Sequence, residues 1–296
     1  MTKPLTHRDL NRATLARQFL LERSDVGITE AVHFLGGLQA QQSNDPYIAL
    51  WSRLKGFRHD DLTRLITDRV LNRATSMRGT LHLHTTDDMI GIRSLVSPFL
   101  QGMWRSNFQK RFGNHDPKKV IAAGRKLLDK GPMSAGDLNK ALLAKFPGGE
   151  AIALSVLLQV HDILVQIPPT RIWRNNSAPI LTRIQNWVPE PHERPMSLRD
   201  LTRRYIRAFG PVNAADMATW SRLTKIGPEF EAIKDELATF EDVDGRTLYD
   251  FPDAPRPHAD TPAPVRFLPL YDNVYLGYDN RRRMLCLLYT SDAADE

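Results

Sequence analysis

The chain has 296 residues, 42% of them hydrophobic and 25% charged, which excludes a disordered polypeptide and leaves room for two or three compact modules. Its single cysteine, Cys286, excludes an intramolecular disulfide and a cysteine-rich zinc site; the nine histidines include no His-Glu-x-x-His helix, so neither metal nor cofactor is expected. The net charge of +6 suits a polyanionic partner. Arginines cluster at Arg69/Arg73/Arg78, Arg171/Arg174/Arg183, Arg199/Arg203/Arg204/Arg207 and Arg281/Arg282/Arg283, a spread that fits a long polyanion better than a small ligand. No apolar run approaches the roughly 20 residues that span a bilayer, and residues 1–8 lack the apolar core of a secretory signal. A cytoplasmic protein with no membrane partner is expected.

Residues 8–23 carry Leu10, Ala13, Leu15, Ala16, Phe19, Leu20 and Leu21 at helical spacing. Thr29 is a candidate cap for a second helix, Glu30 to Leu38, and Pro46 for the start of a third, Tyr47 to Leu54. A helix over 60–68 follows, and then residues 70–85 alternate on both sides of a short polar stretch, the pattern of a two-stranded ribbon. Several helices closed by a ribbon make a winged helix. The outline recurs. Gly131-Pro132-Met133-Ser134-Ala135-Gly136-Asp137 breaks one helix and caps the next, the apolar helix Ala151 to Leu164 follows, and a second ribbon starts at Ile163 with Thr170-Arg171-Ile172-Trp173-Arg174 near its turn. Ser197 caps a third round, in which Gly210-Pro211-Val212-Asn213-Ala214-Ala215-Asp216 repeats the phrase and Phe240 to Phe251 forms the ribbon. Residues 190–195 read as a linker and the proline-rich 251–258 as a surface loop.

The expected fold class is therefore mainly α with short β-ribbons (α+β). The modules are bounded at 1–90, 91–192 and 193–255, with a further region at 256–284. Residues 265–278 read as strand, loop and short apolar stretch, in which Asp272, among Tyr271, Tyr275 and Tyr278, is either a pocket carboxylate or a turn or cap residue. The last residues, 285–296, continue no earlier pattern and resemble translated sequencing-adapter read-through. The native sequence is expected to depart near Met284 and to continue differently beyond it.

The stretch richest in chemistry is Leu35-Gly36-Gly37-Leu38-Gln39-Ala40-Gln41-Gln42. Two glycines inside a helix cost about 1 kcal/mol each relative to alanine, which favours a break and an extended exit. On an extended segment Gln39 and Gln41 share a face, whereas on a helix they diverge. A pair of carboxamides can orient a water or hold a sugar edge without titrating; the plainer alternative is a set of polar residues following a helix end.

Three motifs, Gly37-Leu38-Gln39-Ala40-Gln41, Met77-Arg78-Gly79-Thr80-Leu81-His82-Leu83 and Phe267-Leu268-Pro269-Leu270-Tyr271-Asp272-Asn273 followed by Leu276-Gly277-Tyr278, together resemble the winged-helix DNA-binding family that includes the AlkZ-type DNA glycosylases, over residues 8–283. The resemblance implies three tandem winged helices in a C-shape with a C-terminal β-barrel, of which this chain carries only the start, and a monomer acting on duplex DNA. It implies excision of bulky alkylated purines, with unhooking of interstrand crosslinks in some members. The family's Gln-apolar-Gln signature falls on Gln39 and Gln41, which it makes catalytic. Candidates for phosphate or groove contact are Arg78, His82 and His84 on the first ribbon and Arg171, Trp173, Arg174 and Arg183 on the second; Tyr271, Asp272 and Tyr278 are pocket candidates. With no lysine in the motif to form a Schiff base, a monofunctional glycosylase is expected. The alternative is a non-catalytic winged-helix protein, such as a transcriptional regulator.

Overall fold

Five helices start on one local device: the side chain of Thr6, Thr85, Ser134, Ser197 or Asn213 accepts a hydrogen bond from the backbone N–H of an aspartate three residues on. Each such cap satisfies a donor that the helix itself leaves unpaired and contributes about 1 kcal/mol. The shared phrase of the second and third rounds is this device, read at Ser134/Asp137 and Asn213/Asp216.

The computed structural model describes residues 3–189 and 196–285; the linker and most of the tail discussed above lie outside them. Helices α1 (His7–Arg17) and α2 (Ile28–Phe34) lead to a two-residue strand β1 (Leu38–Gln39), and α3 (Asp45–Arg53) and α4 (His59–Thr67) lead to the first ribbon, β2 (Leu71–Thr75) and β3 (Leu81–Thr85). A 23-residue helix α5 (Thr86–Phe108), α6 (Pro117–Leu128), β4 (Met133–Ser134), α7 (Ala135–Lys145) and α8 (Ala151–His161) precede the second ribbon, β5 (Leu164–Ile167) and β6 (Ile180–Arg183), and the short α9 (Ile184–Trp187). Helices α10 (Leu198–Phe209), α11 (Ala214–Ser221) and α12 (Ile226–Ala232), the third ribbon β7 (Ala238–Glu241) and β8 (Thr247–Asp250), and α13 (Asn273–Leu276) complete the chain.

The ribbons fall where alternation predicts them, but the first two are joined. Ala74 of β2 pairs with Val165 of β5, giving a six-stranded sheet in the order β1-β3-β2-β5-β6-β4, antiparallel at each of its pairings. Each ribbon alone would expose an unpaired edge, and joining satisfies both. Ala74, Met89, Val165, Ile167, Ile184 and Val188 form the core across the join. Three local expectations are corrected. Helix α1 stops at Arg17, because Phe19 adopts a left-handed φ of 57°. Helix α2 is capped at Gly27, without a side-chain hydrogen bond, rather than at Thr29. No strand forms among the described residues from 256 onward: the segment is held by side-chain bonds, such as Arg266 Nε to Leu20 O at 2.9 Å, and Val265, Phe267 and Leu270 stay exposed.

The residues sort into two compact units that interleave along the chain: 3–36, 48–57 and 197–285 in one, 37–47, 58–189 and 196 in the other. The first has an aromatic core of Tyr205, Phe209, Trp220 and Tyr278, with centroids 4.9–6.0 Å apart, and two buried ion pairs, Arg17–Asp250 and Arg53–Asp272. The second contains the joined sheet.

Candidate active site

At the end of α2 the chain takes φ +68° at Gly36 and +92° at Gly37, conformations that L side chains rarely adopt. A Cβ on Gly37 would lie 2.2 Å from His84 Nδ1, so glycine is also the residue that lets this turn approach β3. The chain leaves the turn extended: Leu38 pairs with Leu83, Gln39 with His82, and Ala40 N–H donates to Leu81 O at 2.8 Å. Both glutamines therefore lie off the helix, as the glycines predict, but in unequal settings. Gln39 is 7% exposed. Gln41 is exposed, its Oε1 accepting a long, 3.4 Å hydrogen bond from Leu81 N–H.

The enclosed amide is held by the turn of the first ribbon. Arg78, in a left-handed conformation with φ 58°, directs Nη2 to Gln39 Oε1 at 2.6 Å and to His82 Nε2 at 3.2 Å. A guanidinium only donates, so the acceptor it meets on Gln39 is the oxygen, and His82 Nε2 carries no proton. The other ring nitrogen, Nδ1, donates to Thr80 O at 3.1 Å. His82 is fully buried; burial first, then the charge of Arg78 and neighbouring His84, push its pKa well below the usual histidine range and keep it neutral. His84, also enclosed, stacks on His82 with centroids 5.5 Å apart. Arg78 and His82 thus meet at Gln39, with His84 stacked on His82. The two histidines, expected at the DNA, are enclosed in the protein, because this strand is covered on both faces: Leu83 between them is buried as well.

Arg73 on β2 fixes the glutamine segment from the backbone side. Its Nη2 donates to the carbonyls of Ala40 and, at 3.1 Å, Gln41, while Nη1 donates to Arg171 O at 3.3 Å. Burial, aided by neighbouring Arg171, lowers its pKa to about 10, so it remains charged at neutral pH. No local pattern marks this role, since in the sequence Arg73 is one member of an arginine cluster.

Through Arg73 the segment is tied to the loop between β5 and β6, where Arg171 and Arg174 also take left-handed conformations. Arg174 N–H donates to Asn44 Oδ1 at 3.0 Å, and Ser43 Oγ to Asn176 Oδ1. Trp173 packs on Tyr47 and stacks on His59, with centroids 5.2 and 5.7 Å away. The Arg174 guanidinium is exposed, lying over the Trp173 ring. Arg183 is paired within the protein: Nε donates to Asp162 at 3.0 Å and Nη1 to Asp129 at 2.7 Å.

The third motif plays a structural part in the other unit. Asp272 caps α13 through Val274 N–H and grips Arg53 at 2.7 and 2.9 Å. Tyr278 is fully buried, its hydroxyl donating to Phe209 O at 2.9 Å and meeting Thr14 Oγ1 at 2.9 Å. Tyr271 is 38% exposed. Asp272 is the cap residue of the two readings rather than a free carboxylate. Among the described residues no group of three or more His, Cys, Asp or Glu is arranged to hold a metal ion, and no helix is long and apolar enough to cross a membrane.

No curated protein sequence matches the chain. Its fold is similar to that of the solved structure of Streptomyces sahachiroi DNA glycosylase AlkZ, with a TM-score of 0.68 at 19% identity over 85% of this chain and 71% of that one. The model of the family described as "DNA glycosylase AlkZ-like" matches residues 32–291, from within α2 through the glutamine segment and all three ribbons. The chain belongs to the AlkZ-like DNA glycosylase family.

Proposed function

We propose that this glycosylase removes bulky N-alkylated purines of the N7-alkylguanine type from duplex DNA, including the unhooking of interstrand crosslinks, by water attack at a sugar carbon with Gln39 and Gln41 positioning the water. The observation that carries the reading is a charge-neutral pair of amides on an extended segment, one of them anchored by Arg78 beside a neutral histidine. An N7-alkylated guanine already bears positive charge. When its C1′–N9 bond breaks, the electron pair neutralises the departing base, so no general acid is required. The oxocarbenium-like sugar left behind reacts with water without a strong base, and the proton of that water passes to solvent as the C1′–O bond forms. Two fixed amides contribute placement and polar stabilisation. They accelerate a weakened bond more usefully than an intact one, which spares normal purines.

The segment has no lysine to form a Schiff base, in keeping with a monofunctional enzyme. The three helix–ribbon rounds are read as winged-helix modules, with Arg171, Trp173 and Arg174 meeting a phosphate or a groove. The test is base release from duplexes containing N7-methylguanine or a defined interstrand crosslink, scored by cleavage of the resulting abasic sites. Release that disappears in Gln39→Ala and Gln41→Ala is the expected result. Tight binding without release by the wild type would reduce the protein to a DNA binder.

A further inference from the structure

The anchoring of Gln39 has a polarity, and polarity decides what a carboxamide can do. Its oxygen accepts and its nitrogen donates; the oxygen is the end that Arg78 holds, at 2.6 Å. The choice is enforced in series. Thr80 O accepts from His82 Nδ1, which leaves His82 Nε2 as an acceptor; that nitrogen and Gln39 Oε1 are 3.2 and 2.6 Å from Arg78 Nη2, which carries two hydrogens. Turning the Gln39 amide over would set its NH2 against a guanidinium, donor to donor. Arg78 reaches this position from a left-handed backbone conformation, which a non-glycine residue holds only where the surroundings impose it. Gln41 has no comparable lock: it is exposed, and the contact to its Oε1 is 3.4 Å.

We propose that Arg78 is a positioning residue that fixes the direction of the Gln39 carboxamide, so that Gln39 acts on the DNA as a hydrogen-bond donor through its NH2 and Gln41 is the amide that accepts from the attacking water. The proposal rests on the catalytic reading of the two glutamines. It divides between them roles that spacing alone leaves interchangeable, and it takes Arg78 out of the set of phosphate contacts.

The test measures single-turnover base release from an N7-methylguanine duplex at saturating enzyme, alongside the Kd and its salt dependence on a duplex carrying a tetrahydrofuran abasic analogue. Gln39→Glu keeps size and acceptor oxygens, removes the donor and gives Arg78 a carboxylate to pair with. The expected result is a rate lowered by about 10²-fold, close to that of Gln39→Ala, with Kd little changed; Gln41→Glu, which keeps the accepting oxygens, is expected to lose less than Gln39→Glu. Arg78→Met is expected to lower the rate by about 10-fold at unchanged Kd and salt slope, Arg78→Lys to recover most of the loss, and Arg78→Met added to Gln39→Ala to cost nothing further. A Gln39→Glu enzyme as fast as the wild type would overturn the donor assignment. An Arg78→Met enzyme with normal rate but weaker, less salt-sensitive binding would make Arg78 a phosphate contact, and losses that multiply in the double variant would mean that it acts independently of Gln39. The underlying reading fails separately: a Gln39→Ala enzyme of wild-type rate removes Gln39 from catalysis, whereas an inactive Gln39→Ala beside an active Gln39→Glu sinks only the polarity.

Discussion

Gly37 and Gly102 are the same residue in opposite circumstances. At Gly37 a side chain would be strained by φ +92° and would meet the His84 ring at 2.2 Å, while at Gly102, inside α5, a Cβ would make only an ordinary contact, at 3.8 Å, with Arg105 Nη2. Gly37→Ala is expected to destabilise the protein by about 2 kcal/mol or more and to displace Gln39, whereas Gly102→Ala is expected to stabilise by about 0.5 kcal/mol. Urea denaturation of both variants measures this, and equal effects would refute the account of the turn. His82 offers a second residue-scale prediction. The unfolded chain binds a proton at this histidine below about pH 6.5, and the folded chain does so only at much lower pH. Stability is therefore complete above about 6.5 and declines by up to about 1.4 kcal/mol per pH unit as the medium is acidified. His161, also shifted down by burial and by Arg125 and Arg93, adds a smaller contribution of the same sign. In His82→Gln the slope between pH 6.5 and 5 should be shallower by nearly one proton, whatever the absolute stability; an unchanged slope would move the proton uptake elsewhere.

Among the elements, α3 and α13 are joined by the Arg53–Asp272 pair, whose side chains are 1% and 5% exposed. Removing one partner of such a pair leaves a buried charge uncompensated, at a cost of about 3–5 kcal/mol. Asp272→Asn is thus expected to lower the thermal midpoint sharply while base release falls only as the folded fraction falls. A stable variant with lost activity would restore Asp272 to the pocket. Elements built from local signals were legible in the chain: the cap residues Ser134, Ser197 and Asn213, the three ribbons, and the extended exit after Gly36-Gly37. Elements set by distant partners were not. The strand expected in 265–278 does not form, since an alternating run becomes a strand only beside another, and the long α5, which follows the first ribbon directly, was not foreseen.

At the scale of the whole molecule, an excess of six positive charges favours a polyanion such as the DNA that the family acts on, and each phosphate a cation neutralises releases counterions. The logarithm of the affinity should fall linearly with the logarithm of salt concentration, and Arg174→Ala should reduce that slope by about one if its exposed guanidinium meets a phosphate. Fluorescence anisotropy on undamaged duplex at several salt concentrations measures both, and an unaltered slope would assign Arg174 to bracing Trp173 alone.

The sequence by itself determined the helix starts at Ser134, Ser197 and Asn213, the alternation of the ribbons, the break that frees the two glutamines and, through three spaced motifs, the family. These depend on residues within a few positions of one another, where capping, period and backbone permissiveness act. The tertiary structure alone decided that Gln39 is enclosed and Gln41 exposed, that Arg73 and Arg78 fix the glutamine segment, that His82 is neutral, and that Asp272 answers Arg53. The contacts of Arg73 and Arg78 with the glutamine segment and of Arg53 with Asp272 join residues 32 to 219 positions apart, the neutrality of His82 follows from its burial in the sheet, and a charge or amide takes its role from the partner that desolvation leaves it with, which no local pattern encodes.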